Sequence, residues 1–476
     1  MNVATNLLST KRWTLAVVCA ATAMLMLDIA VVNTALSRIA DDLDTGLSGL
    51  QWVVDAYTLA LASVVLTAGS LADRFGRRRL FSAGLVVFTL SSAACAAATD
   101  IVFLDAARAV QGIGAAVMFA VSLAILANAF PDAKERAGAL AAYGATIGGT
   151  FALGPLVGGA LTSGLDWQWI FLINLPLGAF CLWVTRTYVT ESRDPRAPRV
   201  DWLGQATLAA GLFLLVFGFL RGNEDGWGST TIVASLSAAA ALLVAFVAVE
   251  SRVKEPMLPL KLFRNSSFTG AQIAAAAISA TFFAVFLYTT LYLQQVLGMS
   301  PIEAGLAYLP ATVVIFFVSG ATSTLGEKIS PRVMVAGGLG LVAAGMALMT
   351  LAGADSSWTA TLPGMLVAGV GTGLFNPALT AVALGSAPVE QSGLAAGTND
   401  TFRQAGIAIG VAALGALVPA GAAFDPTRHV AYVNGLHDAL WVGAAVAAAG
   451  AVAAGMLIRS AVKAPRVTGE LAVEPA

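Results

Sequence analysis

Runs of about twenty apolar residues recur along the chain, each closed by a short connector carrying charge, proline or glycine. Such a run can cross a membrane as a helix, because about 20 residues at 1.5 Å rise span a ~30 Å hydrocarbon layer. Fourteen runs are read this way, near residues 13–36, 50–71, 80–98, 101–130, 138–162, 169–188, 202–221, 230–250, 268–296, 303–325, 331–353, 357–386, 393–417 and 438–462. The predicted fold class is an all-α integral membrane protein with fourteen transmembrane helices. Polar stretches at 191–201 and 250–265 divide it into an N-terminal six-helix bundle (13–188), a two-helix insert with its connectors (189–265) and a C-terminal six-helix bundle (266–462). Residues 463–476 are expected to be a disordered cytoplasmic tail. Two six-helix halves around a midplane site are a recurring transporter plan.

Composition sharpens the reading. Hydrophobic residues make up 58% of the 476 and charged residues 11%, against roughly 25% charged in soluble domains. The net charge of −1 says little, but its distribution says more. With the N-terminus inside, Arg38, Arg221 and Arg428 fall on outer connectors and Arg108 and Arg403 fall within helices, which leaves 21 of the 26 basic residues inside. That positive-inside bias predicts an even number of crossings with both termini cytoplasmic. The first run follows Lys11 and Arg12 as a signal peptide would, but it is too long for one and contains Asp28, so it is expected to stay. Cys19, Cys95 and Cys181 all fall in runs and suggest neither a disulfide framework nor a metal cluster. His429 and His437 are expected in or beside the last outer connector.

Ionisable residues inside the runs are the first candidates for chemistry, since charge in a bilayer is expensive. Asp28, Asp55 and Arg108 count to a similar depth in the outer half of the N-terminal bundle. A buried carboxyl near a guanidinium can load and release a proton as water access changes; a static ion pair is the plainer alternative. Asp105, near the mouth of the fourth run, is expected to be solvated. In the thirteenth run Asp400 and Arg403 lie three residues apart, where a pair can neutralise itself. Asn399 and Gln404 extend the polar patch.

Glycines cluster inside runs, where small residues let helices approach closely. The string Gly154-Pro155-Leu-Val-Gly158-Gly159 adds a proline that frees a backbone carbonyl, which packing alone does not explain. The second connector reads Gly69-Ser-Leu-Ala-Asp73-Arg74-Phe-Gly76-Arg77-Arg78-Arg79. Gly76 allows a tight turn, and Asp73 and Arg77 are spaced to pair at an inner gate.

That connector resembles the loop motif between helices two and three of the major facilitator superfamily. Ala107-Arg108-Ala-Val-Gln111-Gly112-Ile-Gly114 resembles its fourth-helix arginine motif, and the Gly154–Gly159 string its fifth-helix antiporter motif. Leu27-Asp28-Ile-Ala-Val31-Val32-Asn33-Thr-Ala35-Leu36 resembles the first-helix motif of the fourteen-spanner drug:proton antiporters. The strings Trp167-Gln-Trp169-Ile-Phe171-Leu-Ile-Asn174-Leu-Pro176-Leu-Gly178 and Tyr292-Leu-Gln294-Gln295-Val-Leu-Gly298 fit the same subgroup. Ala30 and Gln168 stand where that pattern has Thr and Arg, and the tenth run holds only Glu303, at its outer end.

The resemblance implies a major facilitator fold arranged 6 + 2 + 6 and export of hydrophobic, often cationic drugs or antibiotics by alternating access. Exchange for protons would supply the energy, with no cofactor. Asp28 would be the coupling carboxylate, Arg108 its modulator, Asp73 with Arg77 the inner-gate pair. Asp55, Asp400 and Arg403 are further proton candidates. Met24, Asn33, Gln111, Met118, Phe119, Phe282, Phe286, Tyr292 and Asn399 are candidates to line the substrate cavity, since Met and aromatic surfaces suit varied lipophilic cations. The expected setting is a bacterial inner membrane, as a monomer, with no nucleic-acid partner. A dedicated exporter of one metabolite, amino acid, siderophore or self-made antibiotic is the alternative. An ATP-driven pump is disfavoured because no G-x-x-x-x-G-K-[ST] string is present. No metal, Ser/His or Cys/His set suggests an enzyme.

Overall fold

The computed structural model describes residues 3–193, 200–326, 328–388, 391–419 and 421–459. The tail 463–476 lies outside them, as do Arg196 and Arg199 of the central basic connector. The described residues form fourteen long helical segments without a strand. They are α1 (Val3–Asp42), α2 (Leu47–Phe75), α3 (Arg77–Ala96), α4 (Ile101–Ala129), α5 (Ala133–Gly164), α6 (Trp169–Tyr188), α7 (Trp202–Asp225), α8 (Thr230–Glu250), α9 (Ser266–Val296), α10 (Pro301–Leu325), α11 (Pro331–Met349), α12 (Leu362–Gly385), α13 (Ser392–Gly415) and α14 (His429–Leu457).

Twelve of these are long and apolar enough to cross a membrane alone. The two arms of α5, bent by 43° between Thr150 and Ala152, together make a thirteenth. Pro155 has no N–H to offer the carbonyl of residue 151, four residues back, and the bend falls there. α13 is a 24-residue helix that fails the same apolar criterion, because Asn399, Asp400, Arg403 and Gln404 dilute it. Fourteen runs thus correspond to fourteen helices, of which polarity leaves twelve or thirteen as apolar spans. The last run begins earlier than expected: His429 opens α14 and His437 lies within it, its Nε2 2.8 Å from the Ala352 carbonyl oxygen. His429 therefore stands beside the last connector, as expected, and His437 lies further inside the helix.

Helix starts are marked by side chains that accept otherwise orphaned backbone N–H groups. Asp100 caps α4, Asp132 caps α5 and Ser229 caps α8. Ser300 and Glu303 form a reciprocal capping box at the start of α10. Gly76 alone separates α2 from α3, with φ 110°, a conformation that side chains strongly disfavour.

α1–α6 pack chiefly on one another, through α2 on α4, α3 on α4, α1 on α5 and α3 on α6. α9–α14 do the same through α11 on α12, α11 on α14, α10 on α12 and α9 on α14. The two lobes meet along α5 with α10 and α2 with α13, while α7 and α8 pair and α7 rests against both α2 and α13.

Candidate functional site

A closed polar network sits inside the first lobe. Asp28 of α1 and Arg108 of α4 are both buried, with side chains 0% and 2% exposed, and Arg108 Nη1 lies 2.5 Å from Asp28 Oδ2. Gln111, one turn beyond Arg108, donates to Asp28 Oδ1 at 2.9 Å, and Asn174 of α6 donates to the same oxygen at 3.2 Å. Arg108 also donates from Nη1 to Gln111 Oε1 at 2.6 Å and from Nε to the Val53 carbonyl at 3.0 Å. Ser92 of α3 accepts from Gln111 at 2.8 Å, and Cys95 Sγ lies 3.7 Å from Gln111 Oε1. The guanidinium carbon stands 4.3 Å from the centre of the Tyr57 ring, a cation over an aromatic face. Helices α1, α3, α4 and α6 thus surround one carboxylate whose hydrogen-bonding capacity is met by protein donors rather than water.

The sequence separates Asp28 and Arg108 by 80 positions, and their common depth foretells the meeting. Ser92 and Asn174 went unread as partners. Asn174 stands within a quoted motif, and Ser92 is a lone hydroxyl in an apolar run.

Asp55 differs. It is fully buried in α2, and neither carboxyl oxygen has a hydrogen-bond partner. Its expected company with Arg108 is not formed, because Arg108 turns to Asp28 and the Val53 carbonyl instead. In α13, Asp400 and Arg403 form no ion pair among the described residues, so the self-neutralising pair is not realised. Arg403 donates to Asn376 Oδ1 of α12 at 3.2 Å and lies 5.7 Å from the Phe283 ring centre. Asn399 donates to Gln272 of α9 at 3.2 Å, whereas Gln272 Nε2, Gln404 Oε1 and Ser279 Oγ are buried without partners. Asp105 is not simply solvated either: its Oδ1 is buried and unpartnered.

At the connector between α2 and α3, Asp73 and Arg77 pair as their spacing suggests, Nη2 to Oδ1 at 2.8 Å and Nε to Oδ1 at 2.9 Å. Arg74 lies 5.7 Å from the Phe75 ring centre. Sequence reasoning missed Glu191, just past α6. It accepts from the backbone N–H of Arg78 at 3.0 Å and of Arg79 at 3.3 Å, and the Arg77 N–H donates to the Ser192 carbonyl at 2.9 Å. A Cβ on Gly76 would stand 2.8 Å from the Glu191 carboxyl carbon and would displace that carboxylate, while φ 110° is what calls for glycine here. Gly69 faces open space. All these bonds stay within the first lobe and none crosses to the second.

The fifth-helix glycines do touch the other lobe. A Cβ on Gly159 would meet the Pro301 carbonyl oxygen at 2.5 Å and Ile302 Cα at 2.8 Å, and Gly305 of α10 abuts the Pro155 carbonyl. Gly154 and Gly158 seat α1, at Ala30 and Val31. Toward the other end of α5, Gly138, Gly144, Gly148 and Gly149 have nothing within 4 Å of an added Cβ. Polar ties accompany the close end. Gln51 of α2 donates to Tyr288 Oη of α9 at 2.7 Å, Tyr288 in turn donates to the Val411 carbonyl of α13, and Gln294 of α9 donates to the Thr34 carbonyl of α1 at 2.9 Å. The lobes are therefore in close contact at the end remote from Arg77–Arg79, while the α5 glycines nearer the arginines face open space.

The family model described as Major Facilitator Superfamily matches residues 18–411. The chain belongs to the Major Facilitator Superfamily. It is 38% identical over 400 residues to "Multidrug resistance protein Stp" of Mycobacterium tuberculosis, covering 83% of this chain and 74% of that one. It is 36% identical over 477 residues to "Puromycin resistance protein pur8" of Streptomyces alboniger, covering 98% and 94%. Among solved structures, a peptide transporter POT in complex with sulfate superposes with a TM-score of 0.65 at 16% identity, covering 93% of this chain and 95% of that one. That likeness concerns the fold alone. As a superfamily member, the chain is a multi-pass membrane transporter of small molecules.

Within this major facilitator fold the cavity candidates divide. Met24, Met118 and Tyr292 are fully buried; Met118 packs beside Gly84 between α3 and α4, and Tyr292 Oη donates to the Gly353 carbonyl at 2.7 Å. These three present no free surface in this conformation. Gln111 is committed to the Asp28 network, and Asn33 donates to its own helix at the Ile29 carbonyl, 3.1 Å away. Phe119, Phe282 and Phe286 are half-buried, and Asn399 is nearly buried beside Gln272.

Proposed function

We propose that the chain is a proton-driven efflux antiporter, exporting lipophilic, often cationic drugs or antibiotics through a bacterial inner membrane. The observation that carries this reading is the Asp28 carboxylate, buried at the heart of one lobe and held by Arg108, Gln111 and Asn174. A static scaffold has no use for so costly a group, whereas a carrier can exchange one proton at it for one cargo. When water reaches Asp28, protonation cancels its attraction to Arg108 and frees the guanidinium. Deprotonation restores the pair and closes the network. Asp55, buried without any donor, serves as a second proton site. Asp400 and Arg403, beside unpartnered amides, face the path in the second lobe. Asp73 and Arg77 stiffen the turn on which the first lobe rocks, and no cofactor is required.

With the arginine-rich connectors in the cytoplasm, both termini are inside and the open face of α5 at residues 138–149 lies on the side from which cargo is taken. The protein acts as a monomer, since both lobes come from one chain. Relatives named for resistance to puromycin and to methylenomycin A, the latter in Streptomyces coelicolor, support antibiotic export. They also keep open a dedicated role with one self-made compound.

The test uses inverted vesicles energised by a proton gradient and a panel of lipophilic cations, antibiotics and amino acids. Dissipation of the gradient by cations or antibiotics, lost in Asp28→Asn, is the expected result. If only an amino acid dissipated it, the dedicated-metabolite reading would stand instead. If no compound did so with folded protein, drug:proton exchange would be ruled out.

A further inference from the structure

The foot of the two-helix insert contains two buried carboxyl groups that the transport cycle does not use. Asp201 is the N-cap of α7 and Glu250 is the last residue of α8; they are 8% and 3% exposed. Each has one oxygen committed to the backbone. Asp201 Oδ1 accepts from the Gly204 N–H at 2.8 Å, and Glu250 Oε2 accepts from the Leu258 N–H at 2.9 Å. The other two oxygens, Asp201 Oδ2 and Glu250 Oε1, are buried and have no partner. Both border the same spot: a Cβ on Gly204 would stand 2.7 Å from the first and 2.5 Å from the second. Glycine at 204 is what lets the two carboxyls face each other.

Two ionised carboxylates in one dry site repel strongly, and one of the pair then retains a proton. Among the described residues no Lys, Arg or His lies within ion-pair distance of either group. The groups facing the pair are each other and the two backbone donors. Among the described residues, Arg252 and Lys254 on the same connector form no ion pair with either carboxyl. Around the pair, Met257 and Leu258 are buried, and Thr67 of α2 donates to Gln205 of α7 at 2.5 Å. Thr67 of α2 thus ties this foot to the first lobe at the arginine-rich end.

We propose that Asp201 and Glu250 share one proton and form an acid–acid clamp that fixes the insert's foot, and the 251–258 connector folded back on it, to the first lobe. Losing that proton to water leaves two facing carboxylates, which part and release Leu258. In the orientation argued above the clamp reads cytoplasmic pH. The clamp itself does not rest on the efflux reading, because it concerns only the fold.

Hydrogen–deuterium exchange on the purified full chain tests this, comparing the 200–208 and 250–260 segments at about pH 6 and about pH 9 after correction for intrinsic exchange. In the wild type, protection is expected to fall by roughly tenfold at the higher pH, the scale of a lost buried hydrogen bond. Glu250→Gln can donate to Asp201 and still accept from Leu258, so it should stay protected at both pH values. Glu250→Ala should be unprotected at both. Infrared difference spectra should show a protonated carboxyl band in the wild type that Glu250→Gln lacks. Equal wild-type protection at both pH values, or protection that follows added sodium or calcium rather than pH, would overturn the clamp.

Discussion

Each lobe carries an aspartate and an arginine deep in its helices at a candidate site, and the two lobes treat them differently. In the first, Asp28 and Arg108 come from separate helices and are locked by Gln111, Asn174 and the Val53 carbonyl. In the second, Asp400 and Arg403 share one helix, form no ion pair, and sit among amides with unused hydrogen-bonding groups. A filled network is rigid. An unfilled one is ready for a guest, because each spare donor or acceptor is a vacancy that binding can satisfy. On the proposed reading, the contrast gives proton exchange to the first lobe and cargo contact to the second.

The largest effects should come from breaking the filled network. Asp28→Asn keeps the size and removes the charge, so proton-coupled transport in vesicles should vanish while expression remains. Retained coupling would move the role to Asp55 or Asp400. Arg108→Ala strands Asp28 as an unpaired buried charge, at a cost of about 3–5 kcal/mol, which should appear as a lower unfolding temperature in detergent. If Arg108→Ala were as stable as the wild type, the lock would be illusory. In the unfilled patch, Asp400→Asn should alter affinity more than turnover, by about tenfold or less, equivalent to ~1.4 kcal/mol. A pure turnover defect would place coupling in both lobes.

Smaller effects should come from the frame around the two patches. Gly76→Ala forces a side chain into φ 110° and against Glu191, costing about 1–3 kcal/mol, measurable by thermal unfolding. Asp73→Ala removes a partly exposed i,i+4 pair worth about 0.3–0.5 kcal/mol. It should slow turnover while leaving ligand affinity nearly unchanged. A pure affinity loss would contradict the hinge role.

Much of this was legible in the chain. Apolar period and basic connectors announce the helices, and charges too costly to be incidental announce Asp28 and Arg108. What stayed hidden depended on neighbours that no spacing reveals. Asp55 and Asp28 look alike in sequence, yet Arg108 can satisfy only one of them. Asp400 and Arg403 sit at a pairing interval, yet Asn376 from another helix takes the arginine. Glu191 lies beyond α6 and 115 positions from Gly76, and only folding brings them together. Asp201 and Glu250 read as ordinary connector acids until α7 and α8 pair.

Proton release measured as a lipophilic cation binds the purified protein in weak buffer bears most directly on the role of Asp28. The wild type should release about one proton per ligand bound, by reciprocal linkage between the two, and Asp28→Asn should release none while still binding. Equal release from Asp28→Asn and the wild type would contradict the assignment.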